Sequence, residues 1–305
     1  MRVATSFISH RASADFQRAQ IELFNAQRQA GSERKAADLK GYERDASALI
    51  SARGLLERAD SYVATGTELI NRISVQDVAL ARASQTGVDL KLALTSAIGL
   101  GQGSEVMNEI ELAFFNILGS METSYAGKYV FGGVRDDVTP MEIRNLDDLE
   151  AAASIDDIFS NAPRRPTSQI DPQTSIEIAP LASEIATDIF ASLKRFKEFV
   201  TANGAFSDEL TDAQRTFLET EINTLETVNE GLNQQQSFNG GIYQRAESLI
   251  ERQSDERDYY ERVVGDIQSA DLAEVAARIN QAQLQLEASA RVFSVLTQSS
   301  ILNFI

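Results

Sequence analysis

The sequence contains no cysteine. That excludes a disulfide framework, a thiol nucleophile and cysteine-ligated zinc. It has one histidine, His10, so a multi-histidine metal site cannot form within one chain and a Ser-His-Asp triad lacks supporting spacing. Proline is scarce and confined: Pro140, Pro163, Pro166, Pro172 and Pro180 are all there are. A helix interior loses about 3 kcal/mol to a proline. The arms on either side of that window are therefore open to long helices, and the window is not. Basic charge is short as well, with 28 Lys and Arg against 45 Asp and Glu and a net charge of −17. This argues against nucleic acid or an anionic membrane as the main partner. No uncharged apolar run reaches the ~18 residues needed to span a bilayer. The opening "MRVATSFISHRASADF" has no apolar core of the length a secretory signal needs. The expectation is a protein that, if exported, leaves without a cleaved leader.

What is present is ordered by position. The 305 residues are enough for one or two domains with a sizeable core. Residues 1–44 hold eight basic and five acidic side chains, and residues 266–305 hold two and four. Residues 136–190 hold three arginines against twelve acids. Ends that are nearly neutral and apolar, around a charged middle, suggest that the ends are covered by something and the middle faces water.

Helical periodicity fills the arms. Near the N-terminus, Ile8, Ala12, Phe16, Ala19, Leu23, Ala26 and Ala30 form a stripe whose small residues allow close approach of another helix. At the other end, Leu272, Val275, Ile279, Ala282, Leu286, Ser289, Phe293 and Leu296 alternate in steps of three and four, the spacing of a coiled-coil seam. Asp271 with Glu274 resembles a capping box at its start. Further helices are expected from about 49 to 98, from about 107 to 121, over 181–200, and from 208 to about 264. In the last of these Leu218, Ile222, Leu225, Leu232, Ile242, Ala246 and Leu249 face inward, and "GGI" at 240–242 marks a local irregularity. "KYVF" (128–131) and "TSIEIA" (174–179) read as short strands, expected to pair with each other at the neck of the insert.

Candidate chemistry is thin. His10 reads as a helix-surface or partner-facing residue. Asp136–Asp137, Asp147–Asp148 and Asp156–Asp157 lack the alternating carboxylates, glycine and closing glutamate of a calcium loop. "GLGQGS" follows a helix and has no lysine after it, unlike a phosphate loop. The aromatics and arginines of 243–264 are balanced by acids and read as a solvated face. Gln281, Gln283, Gln285 and Gln298 suit either hydrogen bonds between subunits or an exposed flank. A lone amphipathic helix of about 30 residues is marginal in water. The two terminal stripes therefore call for each other, for a neighbouring subunit, or for an ordinary intramolecular core.

The terminal and glycine-bearing segments resemble a known family. "SADLAEVAARINQAQLQLEASARVFSVLTQSSILNFI" resembles the C-terminal signature of the bacterial flagellin superfamily, and "FNGGIYQRAESLIE" (238–251) the stretch before it. "AQRQAGSERKAADLKGYERDAS" (26–47) sits where that superfamily turns after its first helix. "GKYVFGG" (127–133) and the ending "SSILNFI" are more similar to the hook-associated protein 3 family, the hook–filament junction proteins, than to flagellin. The flagellin-type Asp-Asp-Pro or Asp-Asp-Ala segment near position 40 is absent.

That resemblance implies a mainly α fold: a long antiparallel helical rod, paired N- and C-terminal coiled-coil helices, and a small α/β or β-containing insert. The expected organisation is an N-terminal axial helix and turn (1–44), a first rod half ending in a short strand (45–133), an acidic proline-containing insert (134–180), a second rod half (181–265) and a C-terminal axial helix (266–305). The implied role is a structural, self-assembling subunit joining hook to filament, with no catalytic residue, metal or cofactor. Assembly is expected to rest on Phe7, Ile8, Phe16, Leu23, Leu272, Val275, Ile279, Leu286, Phe293, Leu296, Ile301 and Leu302. The implied partners are further copies, a hook-associated protein on the hook side, flagellin on the filament side and a flagellar export chaperone, in the extracellular flagellum. A short flagellin or a cytoplasmic coiled-coil adaptor is the alternative.

Overall fold

The computed structural model describes the backbone of residues 2–178 and 180–302, and the side chains of residues 10–178 and 180–295. The chain is mainly α. Its helices are α1 (Arg2–Ser32), α2 (Ala46–Leu100), α3 (Val106–Met121), α4 (Leu146–Ala151), α5 (Ala182–Asn203), α6 (Asp212–Gln268) and α7 (Leu272–Leu302). The strands are β1 (Ser124–Tyr125), β2 (Lys128–Tyr129), β3 (Thr167–Gln169) and β4 (Ser175–Glu177). Two compact units arise, one from Met1–Ala59 with Asp255–Ile305 and one from Asp60–Ser254.

In the Asp60–Ser254 unit, α2 and α6 run antiparallel. Asn239 donates its amide to the Ile73 carbonyl at 3.1 Å, Ser84 donates to Asn233 at 3.0 Å, and Lys91 pairs with Glu226 at 3.1 Å. Gly66 and Gly87 sit where a side chain would strike Ile250 and Asn229, so the close approach of the two helices requires glycine there. The sequence "GLGQGS" ends α2: Gly101 adopts φ 69°, and Gly103 donates to the Ser207 carbonyl at 3.0 Å. Thr211 and Gln214 then start α6 by capping each other reciprocally, Thr211 N donating to Oε1 at 3.1 Å and Gln214 N to Oγ1 at 3.3 Å.

The main core lies where α2, α3, α5 and α6 meet, around Leu80, Ile110, Phe114, Ile117, Phe190 and Phe196. Phe114 and Phe190 pack edge to face at 5.8 Å, and Phe199 stacks on Phe217 at 4.1 Å. The expected inward residues of α6 agree: Leu218, Leu225, Leu232, Ala246 and Leu249 are buried, and Ile222 and Ile242 half-buried. Among its described residues, the proline window holds only one turn and a half of α-helix, a 3-10 turn (Ile155–Ile158) and short strands. It is nonetheless anchored, because Met141, Ile143, Leu149 and Ile158 join the same core.

Two expectations need correction. "KYVF" and "TSIEIA" do not pair with each other. Lys128–Tyr129 pairs with Ser124–Tyr125, across a two-residue turn in which Ala126 and Gly127 both have positive φ. Ser175–Glu177 pairs with Thr167–Gln169, around a turn where Asp171 Oδ1 accepts from the backbone N–H groups of Gln173 and Thr174 at 2.7 and 2.6 Å. Closing a short loop costs less entropy than closing one of some forty residues, so each strand takes its sequence neighbour. The second correction is at 240–242, where α6 continues as unbroken helix.

Candidate assembly surface

The terminal helices α1 and α7 pair with each other. Their antiparallel start is fixed at the turns: Ala270 N donates to the Glu33 carbonyl at 2.9 Å, and Lys35 N to the Gln268 carbonyl at 2.7 Å. Asp271 Oδ1 caps α7 by accepting from Ala273 N at 2.9 Å and Glu274 N at 3.2 Å. The carboxylate of Glu274 reaches Arg278 at 3.3 Å instead of the backbone, so only half of the expected capping box forms. Between α1 and α2, Glu33 and Glu43 adopt positive φ, and the buried Tyr42 donates its hydroxyl to the Ala36 carbonyl at 3.0 Å. Beside this turn lies an open polar notch of about 590 Å³ lined by Gln29, Arg34, Lys35, Asp38 and Arg278, among others.

The seam between α1 and α7 is narrow. Ala19, Ala26, Val275 and Ala282 are its buried residues among those described. Phe16, Leu23, Ile279 and Leu286 flank them half-buried. Of the residues expected to drive assembly, these four and Val275 come together in the seam. Leu272 and Phe293 lie at its ends and are exposed. The side chains of Phe7, Ile8, Leu296, Ile301 and Leu302 fall outside the described residues.

The outward faces carry apolar residues that the three-and-four stripes missed. Phe24 is 62% exposed and Leu284 68%, with Ile21, Val292 and Val295 also exposed. The signal for them was present in the sequence: Leu284, Ala288, Val292 and Val295 make a second stripe on α7, spaced four, four and three. A helix with two apolar stripes has one face too many for a single partner helix.

Among the described residues, no other arrangement of chemical groups competes with this surface. His10 lies exposed on α1. Each acidic pair has at least one carboxylate engaged in local structure. Asp136 pairs with Arg72 and Lys128, Asp147 with Lys197 at 2.6 Å, Asp148 accepts from Arg144 N at 2.8 Å, and Asp157 completes a capping box with Ser154. Asp147 raises the Lys197 pKa through their hydrogen bond. The one deeply buried carboxylate among the described residues, Glu221, is satisfied by a two-pronged contact from Arg195 at 2.6 and 2.9 Å and by the Ser192 hydroxyl at 2.6 Å. That hydrogen bonding raises the Arg195 pKa. Among the described residues, no group of three His, Asp or Glu side chains could hold a metal, and no helix is long and apolar enough to cross a membrane.

The architecture defines a class: mainly α chains of long antiparallel helices whose two ends pair with each other. A solved flagellar structure is similar in fold. A flagellar hook-associated protein from Vibrio parahaemolyticus superposes with a TM-score of 0.60 at 13% identity, over 73% of this chain and 97% of that one. FlgL of Bacillus cereus gives a TM-score of 0.49 at 12% identity, over 67% of this chain and 98% of that one. No family profile and no curated protein matches the sequence.

Proposed function

We propose that this protein is a structural subunit of the bacterial flagellum, of the hook-associated kind, that joins hook to filament by self-assembly. The observation that carries this reading is the pairing of both chain ends into one thin helical unit with apolar residues left on its outer faces. The fold shared with the Vibrio hook-associated protein and the motifs "GKYVFGG" and "SSILNFI" support it. In this reading residues 1–44 and 266–305 form the axial layer, 45–133 and 181–265 the rod, and 134–180 an outward acidic insert.

Copies of the chain cover one another's exposed Ile21, Phe24, Leu284, Val292 and Val295, together with the residues at the extreme ends. Burying one large apolar side chain contributes roughly 2 kcal/mol, so a few per subunit, repeated around a ring, suffice for cohesion without any catalytic group, metal or cofactor. A hook-associated protein lies on the hook side and flagellin on the filament side. An export chaperone covers the C-terminal segment before secretion to the extracellular flagellum.

Labelled antibody on isolated flagella tests the proposal. Signal confined to the hook–filament boundary is the expected result, with a deletion strain that builds hooks but sheds flagellin into the medium. Label along the whole filament indicates a filament subunit instead. Protein that stays in the soluble cell fraction overturns the flagellar reading altogether.

A further inference from the structure

Two separate apolar clusters stabilise the Asp60–Ser254 unit. The larger ends at Leu232 on α6, and the smaller, with Leu69, Ile73, Ile170, Ile176, Ala246 and Leu249, resumes beyond it. Between Leu232 and Ala246 only one α6 residue is buried, and it is polar: Asn239, 1% exposed. Its amide nitrogen donates to the Ile73 carbonyl, while its oxygen has no hydrogen-bond partner. Gln76 on α2 repeats the pattern, donating to the Val130 carbonyl at 2.8 Å with its own oxygen unpartnered. Buried acceptors without donors weaken the packing they sit in. Asn229, beside Val228 in the larger cluster, also has an unpartnered side-chain oxygen, so what sets the gap apart is that α6 fully buries no apolar residue there.

At that level α6 places two consecutive glycines, Gly240 and Gly241. A Cβ added to either meets no atom within 4 Å. This is the opposite of Gly66 and Gly87 on α2, which a side chain would drive into Ile250 and Asn229. Steric need explains the α2 glycines and does not explain the α6 pair. What remains to distinguish glycine from alanine in open space is backbone freedom, and each such residue lowers helix propensity by a factor of roughly five. On the facing helix no glycine occurs between Gly66 and Gly87, so α2 is the stiffer of the two.

We propose that Asn239–Gly241 is a hinge in α6. The helix bends or opens there while α2 stays continuous, with the Asn239–Ile73 hydrogen bond as the latch between the two states. The hinge lets the smaller cluster tilt against the larger one, so the subunit has a built-in means of changing the angle of its long helix. It does not depend on the flagellar reading.

Because the chain has no cysteine, a spin-label pair can be placed uniquely, at Glu219→Cys and Glu247→Cys, both exposed positions on either side of the hinge. The free subunit is expected to show a broad label–label distance distribution, and backbone amides of 236–245 that exchange faster than those of 218–232. Gly240→Ala with Gly241→Ala is expected to narrow the distribution and slow local exchange by roughly twentyfold. Gly231→Ala, also in open space on α6 but beside the larger cluster, should leave the distribution unchanged. A narrow distribution in the unsubstituted chain, or equal narrowing by Gly231→Ala, overturns the hinge.

Discussion

The α1–α7 pair and the four-helix core around Phe114 and Phe190 are built from similar helices with opposite outcomes. In the core, apolar faces are used up: Phe114, Phe190, Phe196, Ile110 and Ile117 have essentially no exposure. In the terminal pair a seam of alanines and one valine is buried, and larger side chains remain outside. The difference shows that apolar content alone does not make a finished core. A two-helix layer has one shared interface, so its second stripes stay open within the single chain.

Substitutions can break or sharpen this contrast. The largest effect is expected in the closed region. Phe190→Ala removes a ring held between Phe114 and Phe159 and should cost about 3–5 kcal/mol by thermal or urea unfolding. Arg195→Ala should come next, at about 3 kcal/mol, because it leaves the Glu221 carboxylate buried with only the Ser192 hydroxyl. Glu221→Gln in the same background should recover part of that loss, which distinguishes charge burial from lost packing. In the terminal pair the expectation inverts. Phe24→Asp with Leu284→Asp should change the monomer's unfolding free energy by less than about 0.5 kcal/mol, yet abolish polymerisation followed by light scattering or sedimentation. A large loss of monomer stability from that pair of changes would mean that the outward faces are already covered within one chain.

The smallest effect concerns pH. Asp171 has a lowered pKa, through hydrogen bonds from the Thr174 side chain first and from the Gln173 backbone. A depressed folded-state pKa contributes stability that is present above the ordinary aspartate value of about 3.9 and is lost as pH falls through the folded value. The β3–β4 turn should therefore loosen only in acid, below the ordinary carboxylate range. Asp171→Asn should remove that acid-side slope, read by NMR titration of the Gln173 and Thr174 amides.

The helices were legible from residue spacing and the confinement of proline, because both act through local geometry. Expectations of helices from about 49 to 98 and over 181–200 meet α2 and α5 at Ala46–Leu100 and Ala182–Asn203. The candidate surface was legible in part. The three-and-four stripes located Phe16, Leu23, Val275, Ile279 and Leu286, but a single-stripe reading passed over Phe24, Leu284, Val292 and Val295. Those residues gain meaning only when the partner helix is seen to occupy the first stripe.

Residue order by itself determined that the chain is mainly α, that the arms are long helices and that both ends carry apolar stripes. Periodicity and propensity operate over a few residues and need no knowledge of neighbours. Tertiary structure decided which strands pair, which carboxylate is buried against Arg195, and that Gly240 and Gly241 sit in open space while Gly66 and Gly87 do not. These depend on segments far apart in sequence meeting in space, and the free energy of such meetings is shared between both partners, so neither segment alone encodes it.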